Sequence, residues 1–363
     1  MDRHGPIARR FPLIARFRPA CLPLPERVKA ISVLADRSEQ DNDQGVASSV
    51  HNQAALLASD VGLPGLAREM CHAHAGAYLQ ACPLPAMSAI RGLEPLVNLA
   101  RLEIRAGNAD AGRNGLTALF DAVTDGASLE YDGITVPKEL VTTTEDLQEV
   151  RGWLWRVLLA DGTRTLTSAG RWSEAEAHIQ RHRGVGRRML DGRQVAVVAA
   201  LVEGDHERAA RLVAETAPGD PWERNVTLTL ATAGRLESGP TRDAGLAALT
   251  AAYLQSAREP GRTVFDTRLG LTILDLAHLA EHPAAAIVHE MVSRAVDAAD
   301  GYAARELLTH EPCLSLLDGQ QTSRCRKLVG SCALAAQHLS KDVLRELEHA
   351  LHQAERVLRQ GFA

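Results

Sequence analysis

The stretch Ala169-Gly-Arg-Trp-Ser-Glu-Ala-Glu-Ala177 decides the fold of this chain, because it joins two apolar runs and places Ala175 five positions after Gly170. Glycine ends a helix readily because it reaches left-handed backbone angles without steric cost. A small residue one turn later lets the next helix pack closely, so we expect each copy of this spacing to be a helical hairpin. The copies are Gly62…Ala67, Gly107…Gly112, Gly170…Ala175, Gly204…Ala209 and a looser one, Gly234…Gly239.

The composition agrees with an all-helical chain. Aromatic residues make up only 4% of the 363 residues, whereas β-sandwiches and barrels depend on aromatic and β-branched side chains. Helical arrays pack on Ala and Leu, which are abundant here. The sequence therefore predicts an all-α fold.

The turns also resemble those of a known repeat family. Gly204 follows Gly170 by 34 residues, which is the period of tetratricopeptide repeats, and the segments 169–177 and 199–210 resemble the tetratricopeptide turn. The chain is also similar in composition to the helical-repeat sensor regions of actinobacterial regulators. This resemblance implies a right-handed α-solenoid of antiparallel helical hairpins, which binds a peptide or protein partner along its concave face.

The pattern of prolines, glycines and apolar runs predicts how the chain is divided into segments. Residues 1–25 combine arginines with five prolines, and we expect a flexible arm there. Residues 26–340 would form the helical-repeat solenoid, and the amphipathic stretch 341–363 its capping helix. Residues 126–146 interrupt the helical pattern as a loop insertion, in which Asp132-Gly133 favours a small hairpin that could cover the groove.

The resemblance selects candidate groove residues. If Gly107 and Gly170 end the first helices of two hairpins, the positions two and six residues earlier, and one turn farther back, face the groove. Arginine forks beside an asparagine amide suit a peptide backbone or carboxylate. The alternative is that these positions form a solvated polar helix face. The binding residues that this rule predicts are Asn98, Arg101, Arg105, Asp161 and Arg164. Trp155 is added as a groove aromatic, because its spacing places it on a different helix face from Trp153.

A second candidate is the densest basic segment of the chain. Gly184 and Gly186 mark a turn among several arginines, so backbone amides and guanidinium groups could converge on an anion such as phosphate. The alternative is a basic turn that forms salt bridges with neighbouring helices. The candidate anion-binding residues are Arg181, Arg183, Arg187, Arg188 and Arg193.

Metal chemistry is the third alternative. His278-Leu-Ala-Glu281-His282 matches the His-x-x-Glu-His pattern of zinc peptidases, but Pro283 would place the second histidine at a helix end. Cys71, His72, His74 and Cys82 offer further ligand atoms, although His72 and His74 lie on different helix faces and Cys71 suits a buried packing position. We therefore predict no catalytic residues, no metal and no cofactor.

The net charge and the lengths of the apolar runs limit the classes of partner that we expect. A net charge of −5 argues against nucleic acid, and no run is long and apolar enough to span a membrane. The six cysteines contain no Cys-x-x-Cys pair, and we place the protein in the cytoplasm. The expected function is a non-enzymatic scaffold or sensor that binds a peptide or protein partner, in regulation or as an accessory protein of peptide natural-product biosynthesis; a homodimer is compatible with this. The alternatives are a regulator that responds to a small molecule or phospho-ligand at the basic segment, and a zinc peptidase.

Overall fold

A computed structural model describes residues 1–238, 243–279 and 284–361. The described chain is helical apart from one two-stranded hairpin, which confirms the all-α prediction. In chain order the elements are α1 (Pro6–Arg10), α2 (Leu24–Asp41), α3 (Gln44–Val61), α4 (Pro64–Leu79), α5 (Ala86–Arg105), α6 (Ala109–Asp125), β1 (Leu129–Tyr131), β2 (Ile134–Val136), α7 (Thr144–Val157), a π-helical turn (Leu158–Gly162), α8 (Thr163–Ser168), α9 (Trp172–Arg181), α10 (Asp191–Glu203), α11 (His206–Ala214), α12 (Pro221–Ser238), α13 (Asp243–Leu254), α14 (Thr263–Leu279), α15 (Ala285–Asp297), α16 (Gly301–Thr309), α17 (Glu311–Leu316), α18 (Gly319–Ser331) and α19 (Lys341–Gln360).

The chain divides into two compact units, each assembled from two segments. Unit 1 contains Met1–Pro23 and Leu166–Cys332, and unit 2 contains Leu24–Thr165 and Ala333–Ala363. This division differs from the predicted series of arm, solenoid and cap, because each unit recruits a terminal segment that is distant in sequence. None of the described helices combines the length and hydropathy that a membrane crossing requires.

Most helices of unit 2 pack against their neighbours in the chain. Helix α3 packs against α4, α4 against α5, and α5 against both α6 and α7, while α3 and α5 also touch directly. Its core is built from Ala, Val and Leu side chains, with Leu57, Leu93 and Leu99 fully buried. In unit 1, α9 to α16 likewise pack in sequence order, each against the next.

The glycine turns adopt the conformation that the sequence predicts. Gly62, Gly107, Gly170 and Gly204 all have positive φ, between 71° and 92°. The small residue that follows lies in a close helix contact: a Cβ on Gly112 would stand 2.5 Å from the Ala100 carbonyl oxygen. The predicted fifth turn, at Gly234, is wrong, because Gly234 lies inside α12. Gly239, the second residue of that pattern, lies outside the described residues.

The helix starts after two of these turns differ in their caps. Asp205 accepts a hydrogen bond from the Arg208 amide at 2.9 Å and caps α11. Ser173, a residue type that is common at helix caps, instead lies inside α9, and its hydroxyl donates to Glu203 at 3.2 Å.

The insertion forms the small hairpin suggested by Asp132-Gly133. Strands β1 and β2 pair antiparallel, with Tyr131 opposite Ile134. The hairpin contacts α4 and α6, and Asp132 binds Arg68 of α4.

The N-terminal segment differs from the predicted flexible arm, because it packs inside unit 1. Phe11 and Leu13 are buried, and Gln194 binds both the Leu13 amide (2.7 Å) and its carbonyl (2.8 Å). Arg10 forms an ion pair with Asp275 of α14. The prolines exclude a long helix, but they allow an extended segment whose polar backbone is satisfied by buried side chains.

The C-terminal helix α19 packs against α2 and α3, the first two long helices of unit 2. Leu347, Val357 and Leu358 are buried along this contact, and Arg356 pairs with Glu39 of α2. The predicted amphipathic helix is therefore present, with a different packing partner from the expected one.

Candidate functional site

Unit 2 contains a cleft of about 410 Å³ between α3, α4, α5 and α7. Its floor is apolar and buried, while its walls carry amides, one carboxylate and two guanidinium groups. The lining residues are Asn52, Gln53, Ala55, Leu56, Ser59, Ala67, Cys71, Glu94, Val97, Asn98, Arg101, Leu102, Arg105, Trp153 and Val157. A concavity of this size and mixed lining is typical of ligand sites.

Helix α5 supplies the polar wall of the cleft. Glu94, Asn98, Arg101 and Arg105 follow one another at intervals of four, three and four residues, which places them on one face of the helix. The opposite face of α5 carries Leu93, Leu96 and Leu99 in the core. The structure therefore brings the predicted residues Asn98, Arg101 and Arg105 together at one concave surface.

These side chains form a directed chain of hydrogen bonds. Arg101 donates to Asn98 Oδ1 (3.2 Å), Asn98 donates to Asn52 Oδ1 (3.0 Å), and Asn52 donates to Glu94 Oε2 (2.7 Å). A guanidinium only donates and a carboxylate only accepts, so the two ends fix the orientation of both amides between them. Each amide keeps one N–H and one oxygen lone pair for a ligand.

Asp161 reaches this chain from the π-helical turn. Its Oδ2 accepts from Arg101 Nε at 2.9 Å and from Arg101 Nη2 at 2.8 Å. A π-helical turn adds a residue to the helical ladder and changes the direction of the side chains around it, and such turns occur frequently at functional sites. Asp161 therefore orients Arg101, although Asp161 itself does not line the cleft.

The remaining predicted groove residues lie elsewhere. Arg164 follows the π-helical turn and is half-buried, but it is absent from the cleft wall. Trp155 is 36% exposed on α7, and the cleft aromatic is Trp153 instead. Two positions apart on a helix, these tryptophans face different sides, and the sequence does not indicate which side meets α5.

Burial controls the ionisation of two groups at the cleft. It raises the pKa of the Glu94 carboxyl, against the hydrogen bond from Asn52 and the positive charges of Arg91 and Arg101, which lower it. Burial also raises the pKa of the Cys71 thiol to about 12, so this floor residue is uncharged. Cys71 is 2% exposed and acts as the buried packing residue that the sequence predicts.

A side pocket of about 440 Å³ shares Asn52, Gln53 and Glu94 with the cleft. It extends along the first turns of α3 and α5, where Asp43 caps α3 and Arg91 precedes Glu94 by one turn. Glu94 therefore stands where the two concavities meet.

Beneath the side pocket lies a pair of buried histidines that the sequence did not single out as a pair. The rings of His51 and His74 stack with centroids 5.0 Å apart, and His74 Nε2 lies 2.9 Å from the Ser48 hydroxyl. Both ring nitrogens of His51 lack a hydrogen-bond partner. Burial lowers the pKa of His51 to about 4 and that of His74 well below its usual range.

The basic segment of unit 1 uses two of its five arginines internally. Arg193 is buried and donates to the carbonyls of Leu212 and Gly186, and Arg188 pairs with Glu223 and Asp220. The other three, Arg181, Arg183 and Arg187, are exposed. The salt-bridged turn that the sequence offered as the alternative thus accounts for Arg188, while anion binding stays a prediction.

The zinc-like motif cannot be compared with the structure as a whole. His278 lies near the end of α14, whereas Glu281 and His282 fall outside the described residues. Within the ranges 1–238, 243–279 and 284–361, no group of three or more His, Cys, Asp or Glu residues could hold a metal ion. His72 lies 3.4 Å from Asp132 of the hairpin, away from the buried His74.

The sequence analysis missed two members of the hydrogen-bonded row, Asn52 and Glu94. Glu94 was detectable, because it precedes Asn98 by one helical turn on the same stripe. Asn52 lies on a different helix, and only the packing of α3 against α5 brings it to Asn98.

No protein-family model, no curated protein and no solved structure matches this chain.

Proposed function

We propose that unit 2 binds an extended peptide or protein segment in the cleft and that the protein serves as a non-enzymatic scaffold or sensor. The observation that carries this proposal is the hydrogen-bonded row Glu94–Asn52–Asn98–Arg101 above an apolar floor. A peptide backbone presents alternating N–H donors and carbonyl acceptors, and the two amides offer the complementary groups. The apolar floor suits the side chains that alternate with them.

The packing of unit 2 supports the interpretation that its helices form a tetratricopeptide-like array. Helices α3, α5 and α7 each follow a turn or loop and touch in succession, and together they carry most of the lining residues. In a solenoid of helical hairpins, the first helices of successive hairpins line the concave face. We therefore propose that the cleft is the concave face of a short helical-repeat array, used in regulation or in an accessory role of peptide natural-product biosynthesis.

A matched pair of double variants tests the proposal. Asn98→Ala with Arg101→Ala removes the centre of the polar row, whereas Arg151→Ala with Arg156→Ala removes two exposed arginines of α7 outside the cleft. Binding would be measured on an array of random dodecapeptides, followed by fluorescence anisotropy of the captured sequences. We expect about a tenfold or greater loss of affinity for the first variant and no change for the second.

Two results would contradict the proposal. One is a wild-type protein that captures no peptide from the array. The other is capture that the cleft variant retains in full, provided that circular dichroism shows the variant to be folded.

A further inference from the structure

Glu94 is a carboxylate without a counter-ion among the described residues, at one end of the cleft, where the cleft meets the side pocket. Asn52 Nδ2 donates to it at 2.7 Å, yet none of the ion pairs formed within the described chain includes Glu94. Two buried carboxylates of unit 1 are compensated by ion pairs: Asp266 pairs with Arg294 at 3.0 Å, and Asp275 pairs with Arg10. A half-buried carboxylate held by a single amide is costly, and a cationic group from a ligand would offset that cost.

The nearby arginines do not take this role. Arg101 is bound by Asp161 on one side and Asn98 on the other. Arg91 lies one turn before Glu94 and lowers the carboxyl pKa, but burial has the larger and opposite effect. The environment of Glu94 is therefore short of positive charge despite the arginines on the same helix.

Arg105, at the other end of the cleft, is a cationic side chain without an anionic partner in the described chain. Its guanidinium donates to the Ser59 hydroxyl, it is exposed, and no ion pair of the described chain includes it. Glu94 and Arg105 are eleven residues apart on α5, which at about 1.5 Å per residue corresponds to roughly 16 Å. An extended peptide covers that distance in about five residues, at about 3.3 Å each.

We infer, on the basis of the proposed peptide binding, that the cleft selects a segment with a lysine or arginine side chain at Glu94 and a carboxylate about five residues away at Arg105. Asn52 and Asn98 lie between the two charged positions and contact the intervening backbone. The carboxylate comes from an acidic side chain or from a chain terminus, because both present the same two oxygens to the guanidinium fork. The direction of the bound chain follows from the order of its charges.

The first experiment varies the peptide and leaves the protein unchanged. The probes are fluorescein-labelled decapeptides with one Lys and one Glu in an Ala/Ser/Leu background, at separations of two to eight residues and in both orders. A second set replaces Lys by norleucine or amidates a terminal carboxylate. We expect the tightest binding near a separation of five in one order, and about a tenfold or greater loss on replacing Lys by norleucine. The amidated set distinguishes a terminal carboxylate from a side-chain one.

The second experiment compares Glu94→Gln with Glu103→Gln. Both substitutions neutralise a carboxylate on α5, but Glu103 pairs with Arg68 outside the cleft. Glu94→Gln keeps an oxygen for Asn52 and should remove the preference for Lys over norleucine, while Glu103→Gln should retain it. Arg105→Gln should remove the preference for the carboxylate alone.

The outcomes separate the inference from the proposed function. Peptides that bind the cleft with no dependence on Lys or on charge spacing overturn the inference and leave peptide binding in place. A preference for Lys that survives in Glu94→Gln overturns it too. Failure of every probe and of the random array to bind overturns both proposals.

Discussion

Arg294 of unit 1 and Glu94 and His51 of unit 2 are polar side chains that their surroundings accommodate in different ways. In unit 1, Arg294 is 4% exposed and is satisfied by Asp266, Glu290 and Ser256. In unit 2, the buried histidines are neutral and His51 has no hydrogen-bond partner, while Glu94 has no counter-ion. The ion pairs of Arg294 compensate charge inside the fold, whereas Glu94 lies uncompensated beside a cleft, and the proposed binding site rests on that difference.

The largest expected effect is the loss of the compensated charge in unit 1. Arg294→Met leaves Asp266 buried without its partner, and we expect it to cost about 3–5 kcal/mol of unfolding free energy. Urea denaturation with hydrogen exchange of α14 and α15 measures this. Arg211→Met, which changes a 62% exposed arginine, serves as the matched control and should stay within about 0.5 kcal/mol. The double variant Arg294→Met with Asp266→Leu removes both charges of this ion pair. If it is no more stable than Arg294→Met alone, the unpaired charge of Asp266 does not explain the loss of stability.

The histidine pair predicts that unit 2 loses stability in acid. The folded-state pKa values of His51 and His74 are lowered, so the unfolded chain takes up their protons first as the pH falls below about 6.5. The contribution is fully present above that pH and is lost towards pH 4, by about 1.4 kcal/mol per pH unit for each histidine. Hydrogen exchange of α3 and α4 between pH 7 and pH 4.5 measures this.

His51→Phe sharpens the same prediction, because it keeps an aromatic ring against His74 and removes one titrating group. We expect the slope of the unfolding free energy against pH to decrease by the contribution of about one proton, or about 1.4 kcal/mol per pH unit. His349→Gln, at an exposed position on α19, should leave the pH dependence unchanged. Equal pH dependence in the wild type and His51→Phe would remove this histidine from the explanation.

Glu94→Gln should act on stability in the opposite direction. The substitution removes a charge whose burial is unfavourable and keeps an acceptor for Asn52, so we expect unit 2 to gain up to about 1 kcal/mol at pH 7. Thermal unfolding of wild type and variant measures the change. Destabilisation by more than about 1 kcal/mol would place Glu94 among the structural charges, as in unit 1.

The smallest expected effect is that of Arg101→Ala. The Arg101 and Asp161 side chains are 45% and 25% exposed, and exposed ion pairs contribute about 0–1 kcal/mol. We expect the free energy of unfolding in urea to change by less than about 1 kcal/mol. Peptide affinity should fall, in the same direction as for the double variant Asn98→Ala with Arg101→Ala. A large stability loss with unchanged affinity would assign Arg101 to the fold.

Local signals made part of the site predictable. Asn98, Arg101 and Arg105 share one face because of their spacing, and their distance from Gly107 placed them on a helix that ends in a turn. Asp161 was selected by the same rule from Gly170, although the π-helical turn, which no local pattern predicted, decides that it meets Arg101. Trp155 was chosen over Trp153 because the spacing shows that the two differ in direction and does not show which one faces α5.

The sequence by itself determined the all-helical composition and four of the glycine turns, because these depend on local spacing and on backbone angles that few residues can adopt. Only the tertiary structure decided that residues 1–23 pack into unit 1, that α19 returns to α2 and α3, and that Asn52 meets Asn98. These contacts join residues that lie far apart in the chain, and their free energy depends on surfaces that exist only after the helices have packed. The cleft is such a surface, and the uncompensated charge of Glu94 became visible only there.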